Sequence, residues 1–206
     1  MEPRHQLHVL REEAASCTRC RDDGLIYRKE DGRWAYPLFH AKATCPSRIV
    51  FVAEAPNMTD TFDTNKGRLT VDDETDFTGK SMRAFLRSVG LKPEDVLFTN
   101  TVLCLPAQQR DKFPVSTRLA SACQPWLERF IEAADARVVV TFGEKALKAM
   151  DRIERHGLTL AAGVGRLHDW RGRKLLPLYH PSRLALRYRS REQQLADFQC
   201  LASVLG

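Results

Sequence analysis

The stretch "ARVVVTFG" at residues 136–143 runs without a break into "EKALKAMDRIERHG" at 144–157. A short, wholly apolar run followed at once by an amphipathic stretch predicts a buried strand feeding a helix. The pattern repeats on both sides. "RIVFVA" (48–53) precedes a helical "KSMRAFLRSVG" (80–90), and "DVLFTN" (95–100) precedes a helix within "STRLASACQPWLERFIEAA" (116–134). "KLLPLYH" (174–180) is followed by a final helix over roughly 190–204. Alternating strands and helices with apolar strands predict an α/β protein, a three-layer αβα sandwich with a central, mainly parallel four-stranded sheet. Such sheets take ligands at the carboxyl ends of their strands. The ends here are "AEAPN", "TNTVLC", "TFGEK" and "YHPSR", so these four loops are expected to share one rim.

The 206 residues fit a single domain, 1–206, with no composition break to mark a second. Its first part, about 1–45, reads as an arm. Residues 4–16 have helical composition, and "GLIYRKEDGRWAYPLF" has β-prone residues on both sides of a Lys29–Gly32 turn, which predicts a hairpin. Lys and Arg number 32 against 26 acids, a net charge of +6 that suits nucleic acid without requiring it. Its distribution says more: Arg183, Arg187, Arg189 and Arg191 crowd one segment, and Asp72, Asp73, Glu74 and Asp76 another. The sequence has no apolar run of about 18 residues and a charged N-terminus, so a cytoplasmic protein with no membrane partner is expected.

Six cysteines in a reducing compartment point to metal before disulfides. Cys17 and Cys20 form a C-x2-C pair, Cys104 follows the second strand, and Cys123 lies in the next helix. Two thiolates two residues apart grip one site, and two more from elsewhere complete a tetrahedral set. Ligand type alone leaves zinc and a four-iron four-sulfur (4Fe-4S) cluster open. Cys45 and Cys200 fit no set and read as ordinary small apolar residues.

Taken together, the cysteines and the strand-end loops resemble the uracil-DNA glycosylase superfamily, and most closely its iron-sulfur branch, family 4. "AEAPN" is similar to the family's first motif, "FTNTVLC" to its asparagine strand end, and "YHPSRLAL" to its H-P-[SA] second motif. The resemblance runs from about Ala14 to the C-terminus. It implies that Cys17, Cys20, Cys104 and Cys123 hold a 4Fe-4S cluster, and that the fold is glycosylase-like. It also implies a monomeric, monofunctional DNA repair enzyme that flips uracil out of single- or double-stranded DNA and hydrolyses its N-glycosidic bond. Asn100 would read the uracil edge, donating to O4 and accepting from N3–H, which cytosine cannot match. His180 would donate to O2 as charge develops there. Glu54 would position the water or stabilise the cationic sugar, Phe77 would stack on the base, and Ala55, Pro56 and Asn57 would line the pocket. Leu184 would enter the duplex as a wedge. Ser182, Arg183, Arg187 and Arg189 would hold the phosphate backbone.

Singly, each of these residues has a plain structural reading: a turn cap for Asn100, a core position for Phe77, an arginine partner for Glu54. Their joint placement on one rim is what gives them weight. The sequence also departs from the family. Ala53 and Asn57 stand where glycines are usual, and the stretch 58–76 is long and acidic, which leaves Phe62 as a rival to Phe77 and the preferred base open. A noncatalytic DNA-damage binding module that keeps the fold and the cluster is the alternative function.

Overall fold

A computed structural model describes residues 3–40, 44–58, 61–62 and 76–205, with side chains from residue 6 onward. The acidic run 70–75 and most of the long connection lie outside the described residues.

Five strands form one sheet: β1 (Ile49–Ala53), β2 (Leu97–Asn100), β3 (Val138–Phe142), β4 (His168–Trp170) and β5 (Arg173–Leu178), in the order β2-β1-β3-β5-β4. The four expected strands pair in parallel. The addition is β4, which pairs antiparallel to β5 through a tight turn at Arg171 and Gly172, both at positive φ. Two consecutive left-handed residues give the turn a twist that matches a hairpin.

Side chains alternate between the two faces of a strand, so each strand feeds two cores. Val50, Val52, Leu97, Val139 and Leu175 pack with helices α1 (Pro3–Ala15), α3 (Thr117–Ala133) and α4 (Gly143–Ile153). Ile49, Phe51, Phe98, Val138, Val140 and Leu176 face the other way, onto α2 (Phe77–Ser88), α6 (Arg191–Phe198) and the 3-10 turn that follows it. A short α5 (Leu160–Gly163) packs on β5. These two cores make the three layers.

Some of the differences from the sequence reading have identifiable reasons. α2 begins three residues early because Asp76 caps it, its carboxylate accepting from Thr78 N and Gly79 N. α4 stops at Ile153 because Asp151 accepts from His156 N and Gly157 N, which turns the chain out of the helix. The predicted hairpin reduces to a single bridge between Arg28 and Trp34. Lys29 N to Arg33 O, Gly32 N to Lys29 O and Ala35 N to Tyr27 O close it locally, and three further bonds reach outward: Tyr27 N to Leu105 O, Leu38 N to Leu103 O and Ala107 N to Leu25 O. The arm therefore lies along the chain leaving β2. Arg118 to Asp23 (2.8 Å) and Arg129 to Glu13 (2.5 Å) tie it to α3.

Pro177 sits inside β5 opposite Thr141 of β3. Its carbonyl accepts from Gly165 N on the side away from β3. Since N–H and C=O of one strand residue point the same way, the missing proton costs the β3 ladder nothing. Among the described residues, no helix is long and apolar enough to cross a membrane.

Candidate active site on the carboxyl rim

Parallel register aligns the strand ends. Ala53 pairs with Asn100, and Phe142 with Leu178, so Glu54, Asn100 and the Tyr179–His180 step emerge side by side. The ladder continues one step past the strands, with Thr101 N to Ala53 O (2.8 Å) and Val102 N to Glu54 O (3.3 Å). These bonds hold the first motif against the asparagine loop.

Asn100 is 4 % exposed, and its Nδ2 has no hydrogen-bond partner among the described residues. A buried amide donor left unpaired costs about 1–3 kcal/mol, so it persists where something else uses it. His180 is half-buried, its ring edge-on to Phe142 at 5.9 Å. Burial pushes its pKa down to about 4, and the charge of Asp76 opposes the shift only partly. The imidazole is therefore neutral near pH 7, with one N–H to give. Glu54 is half-exposed and meets Lys145 Nζ of the first turn of α4 at 3.6 Å. Phe77, at the start of α2, lies under the Arg183 guanidinium at 5.2 Å. Phe62 lies elsewhere, on the arm, edge-on to Tyr27 at 5.8 Å and flanked by Lys29 and Arg33. Of the two candidates, Phe77 is the one beside the histidine loop. Ala55 and Pro56 follow Glu54 at the rim, and exposed Asn57 accepts at its carbonyl from Thr61 N and Oγ1.

Beyond His180 the chain makes a 3-10 turn, Arg183–Arg187, preceded by half-buried Ser182. Arg183 and Arg187 are exposed, and Leu184 is 62 % exposed while Ala185 is buried. Arg189 differs from the expectation. Its guanidinium takes both oxygens of Asp197, at 2.8 and 2.5 Å, so it braces the loop against α6 and is not offered to a phosphate.

The four cysteines also converge. Cys17, Cys20, Cys104 and Cys123 line one pocket with Ile26, Pro37, Leu103 and Trp126. Desolvation pushes the Cys123 thiol up to about 11 and that of Cys104 higher still, and the neighbouring sulfurs add to both shifts. Four soft donors lining one apolar pocket fit a group that takes them as thiolates. Two further observations agree. Leu103 N donates to Cys123 Sγ at 3.4 Å, and the buried indole Nε1 of Trp126 has no acceptor among the described residues. These groups are suited to sulfur acceptors. Among the described residues no three His, Cys, Asp or Glu side chains close on a single-ion site. Cys45 and Cys200 stand apart from this pocket and donate hydrogen bonds to Ile49 O and Gly165 O.

Three partners were not read from the sequence: Lys145 on Glu54, Asp76 beside His180, and Asp197 on Arg189. Lys145 had a signal, since it lies in "TFGEK", one of the four rim loops. The other two pairs carry none.

A mainly parallel sheet whose carboxyl rim presents a buried amide, a neutral imidazole and a carboxylate defines an α/β protein with its candidate site at the strand ends, where such sheets take ligands. The family model of the Uracil DNA glycosylase superfamily matches residues 42–200, and the chain belongs to that superfamily. It is 33% identical over 155 residues to a type-4 uracil-DNA glycosylase of Thermotoga maritima, covering 71% of this chain and 70% of that one. It is 29% identical over 165 residues to one from Archaeoglobus fulgidus, covering 78% of each. A third, from Sulfurisphaera tokodaii, is 26% identical over 182 residues, covering 85% of this chain and 74% of the relative.

Proposed function

We propose that this protein is a uracil-DNA glycosylase that flips uracil, or a related deaminated base, out of DNA and hydrolyses its N-glycosidic bond to leave an abasic site. The observation that carries the reading is Asn100: a buried amide at the rim of the sheet whose donor has no partner among the described residues. Uracil presents an acceptor at O4 beside a donor at N3, the complement of one amide.

The reaction follows from the neighbours. Asn100 fixes the base edge, and Phe77 covers its face. As the bond from N1 to C1′ breaks, its electron pair passes into the uracil ring, and His180 donates its N–H to O2, where the charge collects. The sugar becomes oxocarbenium-like. Glu54, held by Lys145, faces that charge and orients the water, whose oxygen bonds to C1′ while its proton passes to the carboxylate and on to solvent. Flipping requires DNA to be gripped and its gap filled, which falls to Arg183, Arg187 and Ser182 on the backbone and Leu184 in the stack.

Cys17, Cys20, Cys104 and Cys123 would hold a 4Fe-4S cluster, with zinc as the alternative. When bound, such a group joins the arm to the sheet by thiolate bonds. Purified protein should then absorb broadly near about 400 nm and contain iron. Cys123→Ser should lose the colour and melt at a lower temperature, because metal binding free energy is folding free energy. A colourless protein with one bound zinc would remove the cluster and leave the fold untouched.

The function itself is tested by incubating the protein with single- and double-stranded oligonucleotides carrying one uracil, then cleaving abasic sites with alkali. Cleavage at the uracil is expected. Leu184→Ala should lose about 10-fold or more on duplex and little on single strands, since only duplex flipping leaves a gap to fill. An intact strand, with thymine, hypoxanthine and xanthine also refused, would make the protein a binding module.

A further inference from the structure

Tyr188 is 72 % exposed, more than any other large apolar side chain described. Exposed rings are usually loose, but this one is built in. It closes the Arg183–Arg187 turn, and its backbone N–H and that of Arg189 both bond to Ala185 O, at 2.9 and 3.0 Å. The next side chain, Arg189, is clamped on Asp197, whose carboxylate is itself buried. Asp197 fits there because Gly165 lacks a Cβ: one added would lie 2.4 Å from Asp197 Oδ1, and φ is +69°. The Tyr188 ring lies beside that of Tyr179 in an offset arrangement, nearly parallel at 14° with centroids 6.5 Å apart. Most of the ring meets solvent.

Tyr179 is the residue before His180, so this supported ring stands next to the mouth of the site. Exposed Arg183 and Arg187 and the exposed Leu184 lie on the same turn. A rigid aromatic face beside cations has the make-up of a single-strand stacking platform, where each base offers a π-face and the phosphates meet arginine. We propose that Tyr188 stacks on an unpaired base next to the flipped nucleotide and so gives the protein a binding subsite for single-stranded DNA. The proposal rests on the reading of the rim as a uracil site. Within that reading it assigns a role to Arg189 and Asp197, which hold the platform in place.

Register is fixed with a single-stranded oligonucleotide carrying 2′-fluoro-deoxyuridine, which resists hydrolysis, and binding is followed by fluorescence anisotropy with the full chain. Neighbouring positions on each side are replaced one at a time by a base-free sugar. The wild type is expected to lose about 10-fold in affinity when one particular neighbouring base is absent. Tyr188→Ala should be weaker by the same factor on the intact strand and insensitive to that deletion, while Tyr188→Phe should behave as wild type. The salt dependence of binding should be unchanged in Tyr188→Ala, since no phosphate contact is removed, and reduced in Arg187→Ala. Excision assays should show KM raised and kcat kept for Tyr188→Ala. If Tyr188→Ala binds like the wild type, or is weakened equally on every oligonucleotide, the platform is wrong. A thermal melt excludes unfolding as the cause. Failure of the uracil reading has a separate signature: the wild type excises no uracil, whatever Tyr188 does.

Discussion

Asn100→Ala is expected to slow uracil release by about 100- to 1,000-fold, about 3–4 kcal/mol of transition-state stabilisation, without lowering the melting temperature. The two halves of this expectation come from one fact. In the free protein the Asn100 donor is buried and has no partner among the described residues, so it contributes nothing to folding and costs the desolvation of an N–H. Alanine relieves that cost. In the proposed complex the same donor would meet O4 of uracil while the amide oxygen accepts from N3–H, and the variant would lose both contacts. A site built around a hydrogen bond rejects a ring lacking its complement far better than one built on shape. Excision of uracil and thermal unfolding of the same preparations check both halves. A variant that loses activity only in proportion to its loss of folded protein would return Asn100 to the role of a turn residue.

His180→Ala is expected to cost a comparable factor, and the pH profile of the wild type should identify the form of the imidazole that acts. Burial holds the His180 pKa near about 4, well below the ordinary histidine value. In the proposed reaction the acting form is the neutral ring, donating one N–H toward O2. Excision should therefore show no inflection near the ordinary histidine pKa of about 6.5, and its acid limb should fall close to the depressed value. Stability follows with a definite sign. Between the two pKa values the unfolded chain binds a proton that the folded chain refuses, so stability falls as pH drops through this window. The full effect is on the order of 3 kcal/mol, reached below both pKa values. His180→Gln should unfold at a lower pH than the wild type because it has no proton to accept. An inflection near the ordinary pKa in the wild-type profile would mean that the charged ring does the work.

The arm and the loop beyond His180 show where sequence reading stops. "RIVFVA", "DVLFTN", "ARVVVTFG" and "KLLPLYH" are apolar because each strand is covered on both faces, so their positions are written into local composition. Parallel pairing then brings their carboxyl ends to one edge, which is why Glu54, Asn100 and His180 could be grouped before any contact was known. The short β4 was not legible, because "HDW" has no run of apolar residues and is a strand only through its pairing with β5. The arm had the composition of a hairpin and closes a short one about Arg28 and Trp34, but the bonds that seat it along residues 103–107 were not legible. Arg189 looked like its neighbours Arg183 and Arg187, and nothing local sets it apart. Only the turn of α6 that brings Asp197 to it decides that it is a brace.

The sequence by itself determined the layered α/β architecture, the order of the rim loops, the candidate set Glu54, Asn100 and His180, and the cysteines that belong together. Each of these depends on patterns within a strand, a helix or a motif of a few residues, where period and spacing carry the information. The tertiary structure alone decided which groups were left without partners and which were used up. Among the described residues it left the Asn100 amide nitrogen without a partner, kept His180 neutral, set Lys145 on Glu54, drew Arg189 to Asp197 and stood Tyr188 outward beside Tyr179. Burial and pairing are properties of segments distant in sequence meeting in space, and the chemistry of each side chain is set by what it meets there.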